Sequence, residues 1–248
     1  MSDAGDTLRL APHVSNARAF GFGQTRLILT VATILGTILS ISLIDRPAAF
    51  WSHADFHGIW AFVALTHLVD PLPPAASIGF LVLGIAALSG RRPGPIGWVI
   101  LQACVALLVA VMIKDQGKFV FGRLWPETWI NNNPSLIGTG AYGFFPFHGG
   151  TGWASFPSGH MTAITAPMVA IQPALRRWWW VTVVPIGLVA IGLFGADYHF
   201  VGDMLAGTLL GAVCAWAIVS LMPRPETGIP TKMDGPAGSI ATVSDSRH

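Results

Sequence analysis

The sequence predicts an all-α, polytopic membrane protein: six transmembrane helices in one bundle, plus a helix at the outer interface. Three observations carry that reading. The 248 residues are 52% hydrophobic but only 10% charged, with a mean hydropathy of +0.59, whereas a soluble globular domain carries about a quarter charged residues. Apolar runs recur along the chain at roughly 27–44, 76–89, 96–113, 161–175, 178–194 and 204–222. Finally, Lys and Arg fall unevenly into alternate loops. Together these exclude an ordinary soluble enzyme, a disordered chain and a nucleic-acid binder. The net charge of +2 gives no reason to expect an acidic polymer as partner.

The first run, 27–44, reads as a retained helix. Asp3 and Asp6 come early, no basic n-region precedes it and no small-residue cleavage site follows. Residues 1–24 are expected to be a cytoplasmic N-terminal segment. Residues 45–73 are aromatic and apolar yet hold three histidines and Asp55, so Phe56 to Leu68 reads as a helix lying at the outer interface or dipping into it. The runs at 76–89 and 161–175 are short against the about 20 residues a span needs. Residues 114–160 form the longest connection, and a long loop of this kind is functional or mobile. The membrane domain is expected over 25–222. The Pro-, Gly-, Ser- and Thr-rich stretch 223–248 reads as a flexible cytoplasmic tail. Cys104 and Cys214 lie in apolar runs and read as core residues, not as a disulfide or a metal pair.

With the N-terminus inside, the cytoplasmic side holds Arg9, Arg18, Arg26, Arg91, Arg92, Arg176, Arg177, Arg224, Lys232 and Arg247. The outer side holds only Arg46, Lys114, Lys118 and Arg123. The excess of positive charge inside puts both termini in the cytoplasm. Six of the eight histidines then face out: His53, His57, His67, His148, His160 and His199. Ionisable groups at membrane depth mark functional sites.

Three outer pieces carry candidate chemistry. Phe156-Pro157-Ser158-Gly159-His160 opens the fourth span. Ser158 is an N-cap candidate, and the free N–H groups and positive dipole end of the helix behind it form an anion site. His160 in the first turn can exchange a proton with the bound group. Asp197-Tyr198-His199-Phe200-Val201-Gly202-Asp203 opens the sixth span. His199 and Asp203, four apart, share a helix face, so the carboxylate can hold one imidazole nitrogen and leave the other basic. Lys118 to Pro126 follows the third span; Lys118 and Arg123, with Lys114 one turn earlier, supply cations suited to phosphate. Each piece also has a plain structural reading: a capped helix, an ordinary ion pair, and basic side chains snorkelling at a span end.

Taken together, the pieces resemble the type 2 phosphatidic acid phosphatase superfamily, which also includes vanadium haloperoxidases and glucose-6-phosphatase. Its motifs are Lys-x6-Arg-Pro, Pro-Ser-Gly-His and Ser-Arg-x5-His-x3-Asp. Pro157, Ser158, Gly159 and His160 match the second in full; His199 and Asp203 match the catalytic half of the third; Lys118 and Pro126 match the first. The order fits too, with 31 residues from Pro126 to Pro157 and 39 from His160 to His199. The likeness covers about 75–222. Trp125 stands where the first motif has Arg, and Gly192-Leu193 where the third has Ser-Arg; both arginines bind phosphate oxygens in the family. Arg123 and Lys114 are the cations that could replace them.

The resemblance implies an integral membrane phosphatase acting on a lipid phosphate or diphosphate at the outer face of a plasma (bacterial inner) membrane, with no metal or other cofactor. His199 would form a phosphohistidine, Asp203 would orient it and His160 would protonate the leaving oxygen. Lys118, Arg123, Ser158 and Gly159 would hold the phosphate, with Lys114 and Trp125 as possible additions. Candidate substrates are undecaprenyl diphosphate, phosphatidylglycerophosphate, phosphatidic acid and lipid A phosphate. Two alternatives stand beside this reading. One is a weakened member that binds a lipid or a partner. The other is a metal-dependent enzyme or transporter using His53 and His57, four apart, with His67 and His148 on the same side.

Overall fold

The computed structural model describes residues 13–223 apart from 92 and 130, with side chains from 23 onward. The N-terminal segment expected over 1–24 and the tail expected over 223–248 lie mostly outside the described residues. The architecture is all-α: α1 (His13–Leu39), α2 (Asp45–Phe56), α3 (Trp60–Thr66), α4 (Leu72–Leu88), α5 (Pro95–Phe121), α6 (Leu136–Thr139), α7 (Gly159–Ile171), α8 (Trp180–Gly195) and α9 (Val201–Leu221). Among the described residues, five helical stretches are long and apolar enough to cross a membrane: Gly23–Phe56, Trp60–Leu88, Pro95–Phe121, Arg176–Gly195 and Val201–Leu221.

The first stretch departs from the sequence reading. The chain does not leave the helix near residue 44. A π-helical turn, Ser40–Ile44, joins α1 to α2, and the apolar part of this continuous helix, the 34 residues Gly23–Phe56, is about 51 Å long at 1.5 Å per residue. That exceeds the about 30 Å of hydrocarbon, so the rod carries Asp45, His53 and His57 well past one end of an ordinary span. Pro47 explains the wide turn. It has no N–H to donate, and its ring crowds the carbonyl four residues earlier; a π-turn relieves both. Ser40 Oγ donates to Asp45 Oδ1 across the turn at 2.6 Å.

The segment expected at the outer interface forms α3, which packs against α8. A Cβ at Gly192 would meet Leu65 Cβ at 2.7 Å and the Phe62 carbonyl oxygen at 2.8 Å. A 3-10 turn, His67–Val69, leads from α3 into α4.

The core is built around α7. Met161 to Pro167 and Ala170 are all buried, against α5, α8 and α9. The α7–α9 seam is close because Gly207 and Gly211 of α9 face the Ser158 and Thr162 carbonyls, where a side chain would collide. Small residues let membrane helices approach at this distance. The outer surface is the apolar one: Ile28, Leu35, Ile78, Leu81, Val82, Ile85, Ile96, Met112, Val183 and Ile191 are all exposed. That inversion is what a hydrocarbon solvent requires.

Candidate active site

The site is assembled by one loop and three helix ends. α5 runs to Phe121, beyond the end expected near 113, so Lys114 and Lys118 lie on its final turns. The negative end of the helix dipole favours cations there. Gly122 closes α5 in the left-handed conformation at φ 57°, its N–H donating to the Lys118 carbonyl. Any side chain at Gly122 would strike the Phe145 carbonyl, so only glycine fits.

The long connection is pinned by backbone pairing at Arg123, which bridges to Phe144 and Ala154. Ser155 N–H donates to the Arg123 carbonyl at 3.1 Å, and Leu124 N–H to the Gly143 carbonyl at 3.3 Å. Ser158 N–H then donates to the Asp203 carbonyl at 3.0 Å, which docks the start of α7 on the start of α9. Ser158 caps α7, its Oγ accepting from Met161 N–H. Thr162 N–H makes the first intrahelical bond, to the Ser158 carbonyl. The Gly159 and His160 N–H groups therefore precede the helix ladder, where the dipole end is positive.

In front of that helix end lies a cavity of about 360 Å³ whose lining includes Lys114, Lys118, Trp125, Gly159, His160 and His199. The His160 and His199 ring centroids are 6.2 Å apart. A Cβ at Gly159 would sit 3.6 Å from Lys114 Nζ and 3.7 Å from Lys118 Nζ, so two ammonium groups flank the α7 N-terminus. Lys114 also pairs with Asp115 at 2.7 Å. Trp125 covers the cavity between them: its ring centroid is 5.0 Å from that of His199 and 5.6 Å from Lys118 Nζ. Trp125 Nε1 donates to the Thr151 carbonyl at 2.7 Å, which fixes the indole. Asp70, held by His67 Nδ1 at 2.6 Å, is the acidic member of the lining.

His199 is nearly fully buried, and burial holds its imidazole below the ordinary histidine range, against the raising effect of Asp203. His199 Nδ1 lies 3.6 Å from Asp203 Oδ2, an ion-pair distance beyond hydrogen-bond reach. That oxygen already accepts from Ser155 Oγ at 2.6 Å and from Phe200 N–H at 3.2 Å. Catalytic contacts often lengthen in ligand-free sites and tighten around substrate.

Arg123 departs from the sequence reading. It does not line the cavity; it is fully buried behind His199. Nη1 donates to Asp203 Oδ1 at 2.5 Å; Nη2 donates to Asp45 Oδ2 at 2.6 Å and to Tyr142 Oη at 2.8 Å. Phe200, Phe144 and Tyr142 stack on the guanidinium at 4.4, 4.8 and 5.3 Å. Burial alone would lower its pKa, but Asp203 and Asp45 hold it above the ordinary value. Nε has no hydrogen-bond partner among the described residues, but the side chain is 0% exposed and does not reach the cavity wall. Ser158 is likewise fully buried.

Sequence reasoning gave neither Asp45 nor Tyr142 a role at the site. Asp45 is 1% exposed and accepts from Gly202 N–H at 2.8 Å, so it ties the start of α9 to Arg123. Its one legible signal was a carboxylate closing an apolar run. Tyr142 donates onward to the Ile41 carbonyl at 2.7 Å. The Ser-Arg position of the third motif is filled by Gly192, which abuts α3, and by Leu193, fully buried in the apolar core beside Val69 and Ala163.

One further group among the described residues could hold a metal ion: His53, His57 and Glu127, with ligand atoms within 4.8 Å of one another. None of the three lines the 360 Å³ cavity.

The PAP2 superfamily pattern matches residues 99–226, more than half of the chain. A transmembrane PAP2-type phosphatidylglycerolphosphate phosphatase from Bacillus subtilis is similar in structure, at 18% identity over 77% of this chain and 94% of that one, with a TM-score of 0.47. No curated protein matches the chain.

Proposed function

The chain belongs to the PAP2 superfamily, and from that premise we propose that it is a membrane phosphatase that removes the phosphate or diphosphate headgroup of a lipid at the outer face of the bilayer. The observation that carries this reading is the meeting of two imidazoles, 6.2 Å between centroids, over a helix N-terminus flanked by two lysines. A tetrahedral phosphate seated there touches both rings.

The proposed steps use the groups at this cavity. Asp203 faces Nδ1 of His199, so Nε2 is the nitrogen free to attack phosphorus. As the N–P bond forms, the P–O bond to the lipid breaks and His160 gives its proton to the departing oxygen. A water then attacks the phosphohistidine, His160 takes that water's proton, and the N–P bond breaks to release phosphate. Lys114, Lys118 and the Gly159 N–H meet the charge that grows on the non-bridging oxygens. Every step uses a side chain or N–H at the cavity, and none is routed through a metal.

The surroundings support a lipid substrate. An apolar groove of about 730 Å³ between α1, α5 and α9 reaches Pro157, the residue before Ser158, and suits an acyl or prenyl tail. We assign α7, continued by the 3-10 turn Gln172–Ala174, as the sixth span; starting at a cavity below the outer surface lets it be short. Both termini then lie in the cytoplasm.

His199→Ala and His160→Ala, assayed for phosphate release from lipid phosphates in detergent, are each expected to lose at least about 100-fold in kcat. Undiminished turnover by the His199 variant would remove the mechanism. The absence of both motif arginines favours a second reading, a lipid-binding member without turnover. Wild-type protein that is inert on every lipid phosphate, yet stabilised by one of them, would select it.

A further inference from the structure

The histidine pair four apart in α2 acquires two carboxylates that are remote in sequence. Asp197 Oδ2, from the α8–α9 turn, lies 3.0 Å from His53 Nδ1 and 3.3 Å from His57 Nδ1. Glu127 Oε2, from the loop after α5, lies 3.2 Å from His53 Nδ1. The two rings are 4.3 Å apart. We propose that His53, His57, Glu127 and Asp197 form a binding site for a divalent transition-metal ion, with Zn²⁺ as the test case, that fastens α2, the loop after α5 and the α8–α9 turn together beside His199.

Three physical arguments converge on a cation. The first is spacing. Zinc bonds of about 2.0–2.2 Å place the ligands of a tetrahedron about 3.3–3.5 Å apart; the His53–Glu127, His53–Asp197 and His57–Asp197 separations fall at or just inside that edge, and ligand atoms of His53, His57 and Glu127 lie within 4.8 Å of one another, so Asp197 joins them through its contacts to the two histidines. The second is an unmet need. The Asp197 side chain is fully buried, and its Oδ1 has no hydrogen-bond partner among the described residues. A carboxylate in that position needs positive charge close by. His53 Nδ1 also faces two carboxylates at once, more than one N–H can serve. Two neutral imidazoles and two carboxylates would balance a dication. The third is placement. Asp197 is held in the left-handed region at φ 57°, which turns the chain at the end of α8. Exposure rises from buried Asp197 through Glu127 and His53 to half-exposed His57, so an ion has a path from solvent.

The imidazole and carboxylate donor set suits zinc and its first-row neighbours rather than calcium or magnesium. His53 and His57 lie outside the stretch matched by the superfamily pattern, whereas Glu127 and Asp197 lie within it. The site is therefore a property of this chain's own α2 and stands independently of the phosphatase reading.

The test uses untagged full-length protein in detergent, stripped with a chelator, dialysed against Zn²⁺ and then freed of unbound ion. Wild-type protein is expected to retain about one zinc per chain by mass spectrometry and to melt at a higher temperature with zinc than without. Loss of an outer-shell partner alone costs metal affinity about 10–100-fold, so His57→Ala and Glu127→Gln are each expected to weaken zinc binding by at least about that much. His57 is half exposed, so its variant should melt with wild type when zinc is absent, and it should lose the zinc-dependent rise. His67→Ala, outside the cluster, should keep that rise. Wild-type protein that retains no zinc, or zinc retained equally by wild type and both ligand variants, would overturn the proposal. Neither readout depends on turnover.

Discussion

At the scale of single residues, the cavity is governed by how burial and charge act on a few side chains. In the proposed reaction His199 must be neutral to attack, and burial lowers its pKa from the ordinary 6.5. The neutral form therefore persists as pH falls through 6.5, and the acid limb of kcat/KM assigned to the nucleophile is expected below that value. The same shift means that the unfolded chain takes up this proton first on acidification. His199 thus contributes a loss of stability below pH 6.5 and none well above it. A pH series of turnover and melting, with His199→Ala as control, checks both signs. Trp125 and Leu193 make a second contrast. Trp125 is only half-buried at the cavity, so Trp125→Arg restores a cation beside Lys118. One charge-assisted contact is worth about 1.5–3 kcal/mol, and competitive inhibition by phosphate or vanadate should tighten about tenfold or more. Leu193 is fully buried, and Leu193→Arg places a charge among apolar side chains. It should destabilise by more than about 4 kcal/mol in thermal or denaturant unfolding.

At the scale of elements, Arg123 links the long loop after α5 to the ends of two helices. It joins Asp45 at the head of α2 to Asp203 in the first turn of α9, and its backbone fastens two strand-like stretches of the loop. Removing it leaves two buried carboxylates without their cation, which costs about 3–5 kcal/mol. Arg123→Met, which keeps the apolar stem between Phe144 and Phe200, should lose that stability. It should also lower kcat more than it raises KM, because Asp203 then moves relative to His199. A loss confined to KM, with stability unchanged, would restore Arg123 as a phosphate ligand. The residue types and spacing around Arg123 suggested a cation for the substrate; only the folded loop shows that the guanidinium points inward. The helix before it was legible as an apolar run over roughly 96–113, but its continuation to Phe121 was not.

At the scale of the whole molecule, the apolar exterior and the clustering of titratable groups at one end imply a sided protein. In intact spheroplasts a membrane-impermeant thiol reagent should label Asn132→Cys, exposed in the outer loop, and should leave Gly90→Cys, in the loop between α4 and α5, unlabelled until the membrane is opened. Both native cysteines are buried and should give little background. Labelling of Gly90→Cys in sealed cells would reverse the proposed orientation.

The sequence by itself determined the all-α membrane class and the family. Those follow from local quantities: apolar runs long enough to cross hydrocarbon, and motif residues at set spacing. The N-cap at Ser158 was legible for the same reason, because it lies within one helical turn, and so was the nearness of His199 to Asp203, four residues apart, although His199 sits just before α9 and not on it. Tertiary structure alone decided which distant groups meet. Asp45 reaches Arg123 across 78 residues, and Asp197 reaches His53 across 144. A helix carried on through a π-turn made both contacts possible. No periodicity records them, because a buried charge is set by the partner that folding brings to it.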